Sequence, residues 1–162
     1  MIKAVMVMNS IGKPRLTKFY AYQPAERQQE FVRCVYSVLC NRSDNTSNFV
    51  GGMESLFGPD NRLVYKHFAT LYIAIVFDGS ENELAMLDLI QVFVETLDKC
   101  FKNVCELDIV VNYTKVQSIL DEIIYGGQVI DTNCMEVLRA VEEISRLESE
   151  STTSKLVPRW VR

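Results

Sequence analysis

Few side chains in this 162-residue sequence combine the type and spacing that catalysis demands. The single histidine, His67, sits between Lys66 and Phe68 in a β-prone run, and any nucleophile–base pair would have to use it. No neighbour in sequence identifies itself as its partner, so His67 reads as structural. Gly12-Lys13 invites comparison with a phosphate-binding loop, which needs a glycine five residues before the second glycine and Ser or Thr after the lysine. Val7 and Pro14 occupy those places, so the motif fails. The adjacent carboxylates Asp121-Glu122 and Glu142-Glu143 fall on expected helices, where neighbours diverge by about 100° and make solvated faces.

Metal and redox chemistry find equally little support. Cys34, Cys40, Cys100, Cys105 and Cys134 are odd in number, contain no Cys-x-x-Cys pair and have no close histidine to complete a zinc set. They are expected to be reduced, mostly buried thiols. Gly51-Gly52 and Gly126-Gly127 lack dinucleotide-binding spacing and read as a turn and a helix stop. The expectation is a chain without catalytic residues, cofactor or metal.

The elements that must position any site are written more plainly. Residues 2–9 are apolar on both faces, as a strand between two layers should be. After a turn through Asn9 and Pro14, residues 16–22 read as a second strand. Pro24 suits a helix start, and Phe31, Cys34, Val35, Val38 and Leu39 mark one face of a helix over 24–40. A short strand is expected at 48–51, and two longer ones at 62–68 and 71–77. Ser80 and Glu83 have capping-box spacing ahead of a helix over 81–101, striped by Leu87, Ile90, Val94, Leu97 and Phe101. Ile109-Val110-Val111 is β-prone, yet Ile109, Tyr113, Val116, Leu120 and Ile124 recur at helical spacing, which favours one helix over 106–125. A last helix at 133–148 carries Val137, Val141 and Ile144. The Ser/Thr-rich stretch after it has the composition of a flexible tail, 149–162. Within that tail, Leu156-Val157-Pro158-Arg159 resembles part of a protease-cleavage site.

Short loops between the early strands imply antiparallel pairing. The fold class expected is α/β (α+β), a five-stranded antiparallel sheet flanked by helices on both faces. The length suits one domain. The net charge of −4 opposes general nucleic-acid binding but is unevenly spread. Residues 1–67 hold nine Lys/Arg against five Asp/Glu, and residues 78–150 hold five against sixteen. The positive first part could receive a small acidic ligand. The N-terminus is too short for a signal peptide, and the longest apolar run, 71–77, has only a strand's length. A cytoplasmic chain that reaches membranes only through partners is expected.

Several strings together resemble the small (sigma) subunit of clathrin-type adaptor complexes. Gly12-Lys13-Pro14-Arg15-Leu16-Thr17-Lys18-Phe19-Tyr20 is similar to the family's Gly-Lys-x-Arg-Leu-x-Lys-aromatic-Tyr segment. Val64-Tyr65-Lys66-His67-Phe68-Ala69-Thr70-Leu71-Tyr72 resembles its paired strands, and Phe101-Lys102-Asn103-Val104-Cys105-Glu106-Leu107-Asp108 is the most specific string. Gly51-Gly52, the loop through Asp60-Asn61 and the run from Asp88 to Cys100 resemble the third-complex branch of that family. The resemblance spans residues 1–148.

It implies a longin domain, and a non-catalytic part in a heterotetramer with two large subunits and one medium subunit. Such coats sort membrane cargo between endosomes or Golgi and lysosomes or vacuoles. It also implies a site for acidic dileucine signals in cargo tails. The two leucines would rest on Ala69, Leu71, Val94, Val104 and Ile109, Asn103 would contribute a polar contact, and Arg15 would face the acidic or phosphorylated position upstream. Phe68 departs from a position that is commonly tyrosine. A stand-alone longin-type regulatory module is the alternative; such modules usually continue into a coiled coil or membrane anchor, and no heptads are present here.

Overall fold

The computed structural model describes residues 1–156. The resemblance of Leu156-Val157-Pro158-Arg159 to a cleavage site falls, from residue 157 on, outside the described residues. Strand β1 (Ile2–Asn9) turns into β2 (Pro14–Phe19), and α1 (Ala25–Cys40) follows. Next come β3 (Phe49–Val50), the single-turn α2 (Glu54–Phe57), β4 (Asn61–Phe68) and β5 (Leu71–Asp78). Helices α3 (Glu83–Phe101), α4 (Glu106–Val111) and α5 (Tyr113–Ile123) lead to a small hairpin, β6 (Ile124–Tyr125) and β7 (Gln128–Val129), and then α6 (Cys134–Leu156).

The main sheet has the order β2-β1-β5-β4-β3, and all its pairs are antiparallel. Its centre explains why residues 2–9 lack polar alternation. Val5 and Val7 of β1, with Ile73, Ile75 and Phe77 of β5, pack beneath α3, α5 and α6. Ala4, Met6 and Met8, with Ala74 and Val76, pack beneath α1. Each strand thus feeds two cores through its two-residue period, and helices cover both faces as expected.

Four local expectations change. The cap of α3 is Asn82, whose side chain accepts from the amides of Leu84 (2.9 Å) and Ala85 (3.2 Å). The Ser80 hydroxyl instead bonds the Asp78 carboxylate, and Glu83 pairs with Arg62 at 3.0 Å. The single helix expected over 106–125 is two helices, broken at Asn112, whose side-chain amide donates to the Asp108 carbonyl at 3.1 Å. Gly126-Gly127 is not a helix stop but the turn of the β6–β7 hairpin. Gly127 is required there, because a Cβ would come within 2.6 Å of the Ile2 carbonyl while its own carbonyl accepts from the Ile2 amide. The thiols are not mostly buried: only Cys134 is, while Cys40 and Cys105 are exposed.

Helix α6 runs past residue 148 to Leu156. Hydroxyls of Ser149, Ser151 and Thr152 bond carbonyls of the preceding turn, which lets this polar stretch continue as helix.

Candidate functional site

A cavity of about 250 Å³ opens where the β4–β5 turn meets the end of α3 and the start of α4. Three local features shape it. The first is the two-residue turn Ala69-Thr70, in which Ala69 holds φ 50° between the paired residues Phe68 and Leu71. This brings Ala69 and Leu71 to one wall beside Ile73.

The second is α3, whose buried stripe places Val94 and Leu97 on the facing wall. The third is the reversal after α3. Lys102 (φ 53°) and Asn103 (φ 69°) are consecutive left-handed residues that turn the chain back without glycine. Asp98 stabilises the reversal: its carbonyl accepts from the Lys102 amide at 2.8 Å and its carboxylate from the Val104 amide at 2.9 Å. Val104 thereby faces the cavity, and the Asp108 carboxylate takes the Cys105 amide at 2.9 Å to start α4. Ile109, fully buried on α4, forms part of the floor.

Five of the seven expected residues therefore converge: Ala69, Leu71, Val94, Val104 and Ile109 line one cavity. Asn103 does not. It is exposed, off the wall, and serves through its backbone, a conformation that asparagine tolerates better than most residues.

Arg15 lies next to the cavity rather than on its wall. Its Nε and Nη2 both reach Oε1 of Glu106, each at 2.6 Å, and Asn9 Nδ2 donates to the same oxygen at 3.0 Å. The Arg15 guanidinium, foremost, and the Asn9 amide hold the Glu106 carboxyl below its ordinary range. Asn9 also ties down the β1–β2 turn, since its Oδ1 accepts from the amides of Ile11 and Lys13. The turn uses Gly12 at φ 81°, where a Cβ would strike the Tyr36 ring at 2.6 Å. Phe68, Asp98 and Glu106 also border the cavity. The two acids carried no periodic signal, because they act on a backbone amide and on a residue 91 positions away.

Hollows of greater volume exist, one of about 420 Å³ between β2 and α1, but none of the seven expected residues lines it. His67 stacks on Tyr72, ring centroids 4.3 Å apart. Among the described residues no group of three or more His, Cys, Asp or Glu could hold a metal, and no helix is long and apolar enough to cross a membrane.

Comparison with known families decides what this architecture is. The family described as clathrin adaptor complex small chain matches residues 1–148. The chain belongs to that family. This small chain is 68% identical over 161 residues to the AP-3 complex subunit sigma of Arabidopsis thaliana, covering 99% of this chain and 96% of the relative. It is 50% identical over 148 residues to the human AP-3 complex subunit sigma-2, covering 91% and 77%. Its fold matches a chain in a structure described as a homology model of the full-length AP-3 complex in a stretched open conformation. The TM-score is 0.71 at 37% identity, over 97% of this small chain and all of the other.

Proposed function

We propose that this small chain is the non-catalytic sigma subunit of an AP-3-type heterotetrameric adaptor, and that its cavity holds the paired leucines of acidic dileucine signals in cargo tails. Two large subunits and one medium subunit are the partners, with the main contact to one large subunit. The complex acts in the cytoplasm, peripherally on Golgi or endosomal membranes, in transport towards lysosomes or vacuoles. The observation that carries this reading is the convergence of Ala69, Leu71, Val94, Val104 and Ile109 on one apolar cavity beside the Arg15 guanidinium.

The cavity is smaller than the roughly 300–1,000 Å³ of small-molecule sites, which favours a pair of side chains over a whole cofactor. Burying two leucines yields roughly 3–6 kcal/mol before ordering costs. A disordered tail consumes much of that, so affinity of about micromolar strength is expected, raised by other contacts on the coat.

Titration of the assembled heterotetramer with a dileucine peptide, and with the same peptide carrying two serines, tests the reading. A loss of at least about tenfold for the serine peptide is expected. Equal affinities would remove the cavity from the proposal, and failure of this chain to capture two large subunits and a medium subunit from extract would remove the assembly.

A further inference from the structure

The Arg15 guanidinium, which the family resemblance sets against the acidic part of a docking signal, is already occupied. Two of its five donors lie on Glu106 Oε1, and Asn9 Nδ2 reinforces the same oxygen. Glu106 belongs to the rim of the cavity, and so does Asp98. The rim thus carries two carboxylates beside the single Arg15 guanidinium, and exposed Lys13 adds positive charge that is felt at Glu106. A peptide carboxylate arriving here meets a site whose positive charge is already matched. Both partners are partly exposed, at 21% and 28%, so the pair is reachable by solvent and exchangeable rather than locked in the core.

We infer that Glu106 is an intramolecular competitor for Arg15 and thereby a specificity-determining residue: it sets how acidic a segment must be before charge adds to docking. This rests on the proposed dileucine reading. An incoming acid gains only the difference between its own bond to Arg15 and the one Glu106 gives up. A single carboxylate is a near-even exchange. A phosphate, with a charge of about −1.5 to −2 and three acceptor oxygens, exceeds it. Position and chemistry agree, because Glu106 begins α4 two residues after Val104, which the reversal at Lys102 and Asn103 turns into the cavity.

The test uses the assembled heterotetramer and two peptides, one with glutamate upstream of the leucines and one with glutamine there. The readout is the ratio of their affinities, in which any effect common to both peptides cancels. Glu106→Gln keeps the shape and an acceptor for Asn9 while removing the charge. It should raise the glutamate-to-glutamine ratio about fivefold, the scale of a partly exposed ion pair. Adding Arg15→Gln should return the ratio to about one. A ratio unchanged or lowered by Glu106→Gln would overturn the inference, as would a gain that survives Arg15→Gln, since that gain would come from bulk charge. Leucine-dependent binding with no change in ratio sinks the competitor role alone. Binding of neither peptide to any variant sinks the dileucine reading and this inference with it.

Discussion

The Asp98 carboxylate accepts the backbone amide of Val104 at 2.9 Å, and this contact fixes the far wall of the cavity. Asp98 leaves the last turn of α3, spans the reversal at Lys102 and Asn103, and catches the chain as it returns. The bond resembles a helix cap in reach and in worth. Asp98→Ala should cost about 1 kcal/mol of stability and weaken dileucine peptide binding, because Val104 loses its tether. Asp98→Asn retains an acceptor oxygen and should preserve most of both. Thermal melts and peptide titration of the assembled complex check this. Equal losses for Ala and Asn would assign the effect to charge rather than to the tether.

Asn103 separates a polar contact from a backbone role. With φ at 69° and an exposed side chain, it is expected to tolerate Asn103→Gly with stability and peptide affinity unchanged. Asn103→Val should destabilise by about 1–2 kcal/mol, since a β-branched residue is disfavoured in the left-handed region. Should Asn103→Gly abolish peptide binding while the melt stays in place, the side chain makes the contact that the sequence resemblance assigned to it.

What was legible in the sequence follows from how each feature is encoded. β1 and β5 were readable because a doubly buried strand must be apolar at every position, and α3 because Ile90, Val94 and Leu97 recur on one face. The break at Asn112 was not, since Ile109, Tyr113, Val116 and Leu120 keep helical spacing across it, although asparagine, whose side chain competes for backbone groups as it does at the Asp108 carbonyl, was a usable signal. The Ser80–Glu83 box failed for a related reason: Asn82 offers an equally good cap two residues later, and Ser80 has Asp78 within reach. At the site, the apolar walls came from the family resemblance. The ion pair between Arg15 and Glu106 could not be read, because nothing in local spacing couples β2 to the start of α4. The left-handed turn had a signal that could have been used, asparagine just after a helix end.

Tyr20 offers a test of the core beneath the same strand. Its hydroxyl is buried without a hydrogen-bond partner among the described residues, and burial, then the Asp121 charge, pushes its ionisation upward. Lys18 pairs with that same Asp121 at 3.0 Å. A buried orphan hydroxyl costs stability, so Tyr20→Phe should leave stability unchanged or raise it by up to about 1–3 kcal/mol, read as an unchanged or higher melting temperature. A clear fall in stability would reveal a partner for the hydroxyl, such as an ordered water.

The Arg15–Glu106 pair should be insensitive to pH across the range a trafficking protein meets. Glu106 is held below its ordinary range by the hydrogen bonds from Arg15 and Asn9, with Lys13 adding charge. A carboxyl lowered in the folded state contributes stability that is complete above its unfolded value. That contribution is lost only as pH falls through the lower, folded value. From about pH 8 to about pH 5 the pair should stay intact, and the glutamate-to-glutamine affinity ratio should be flat, near one in the wild type and raised in Glu106→Gln. Below that the peptide's own glutamate, with an ordinary value of about 4.3, protonates before Glu106 does, so the raised ratio of Glu106→Gln falls towards one while the wild-type pair persists. Peptide titrations at stepped pH, repeated with Glu106→Gln, read this directly. A wild-type ratio that changes between about pH 7 and pH 5.5 would place the titration of Glu106 in that window and contradict the tight bond to Arg15.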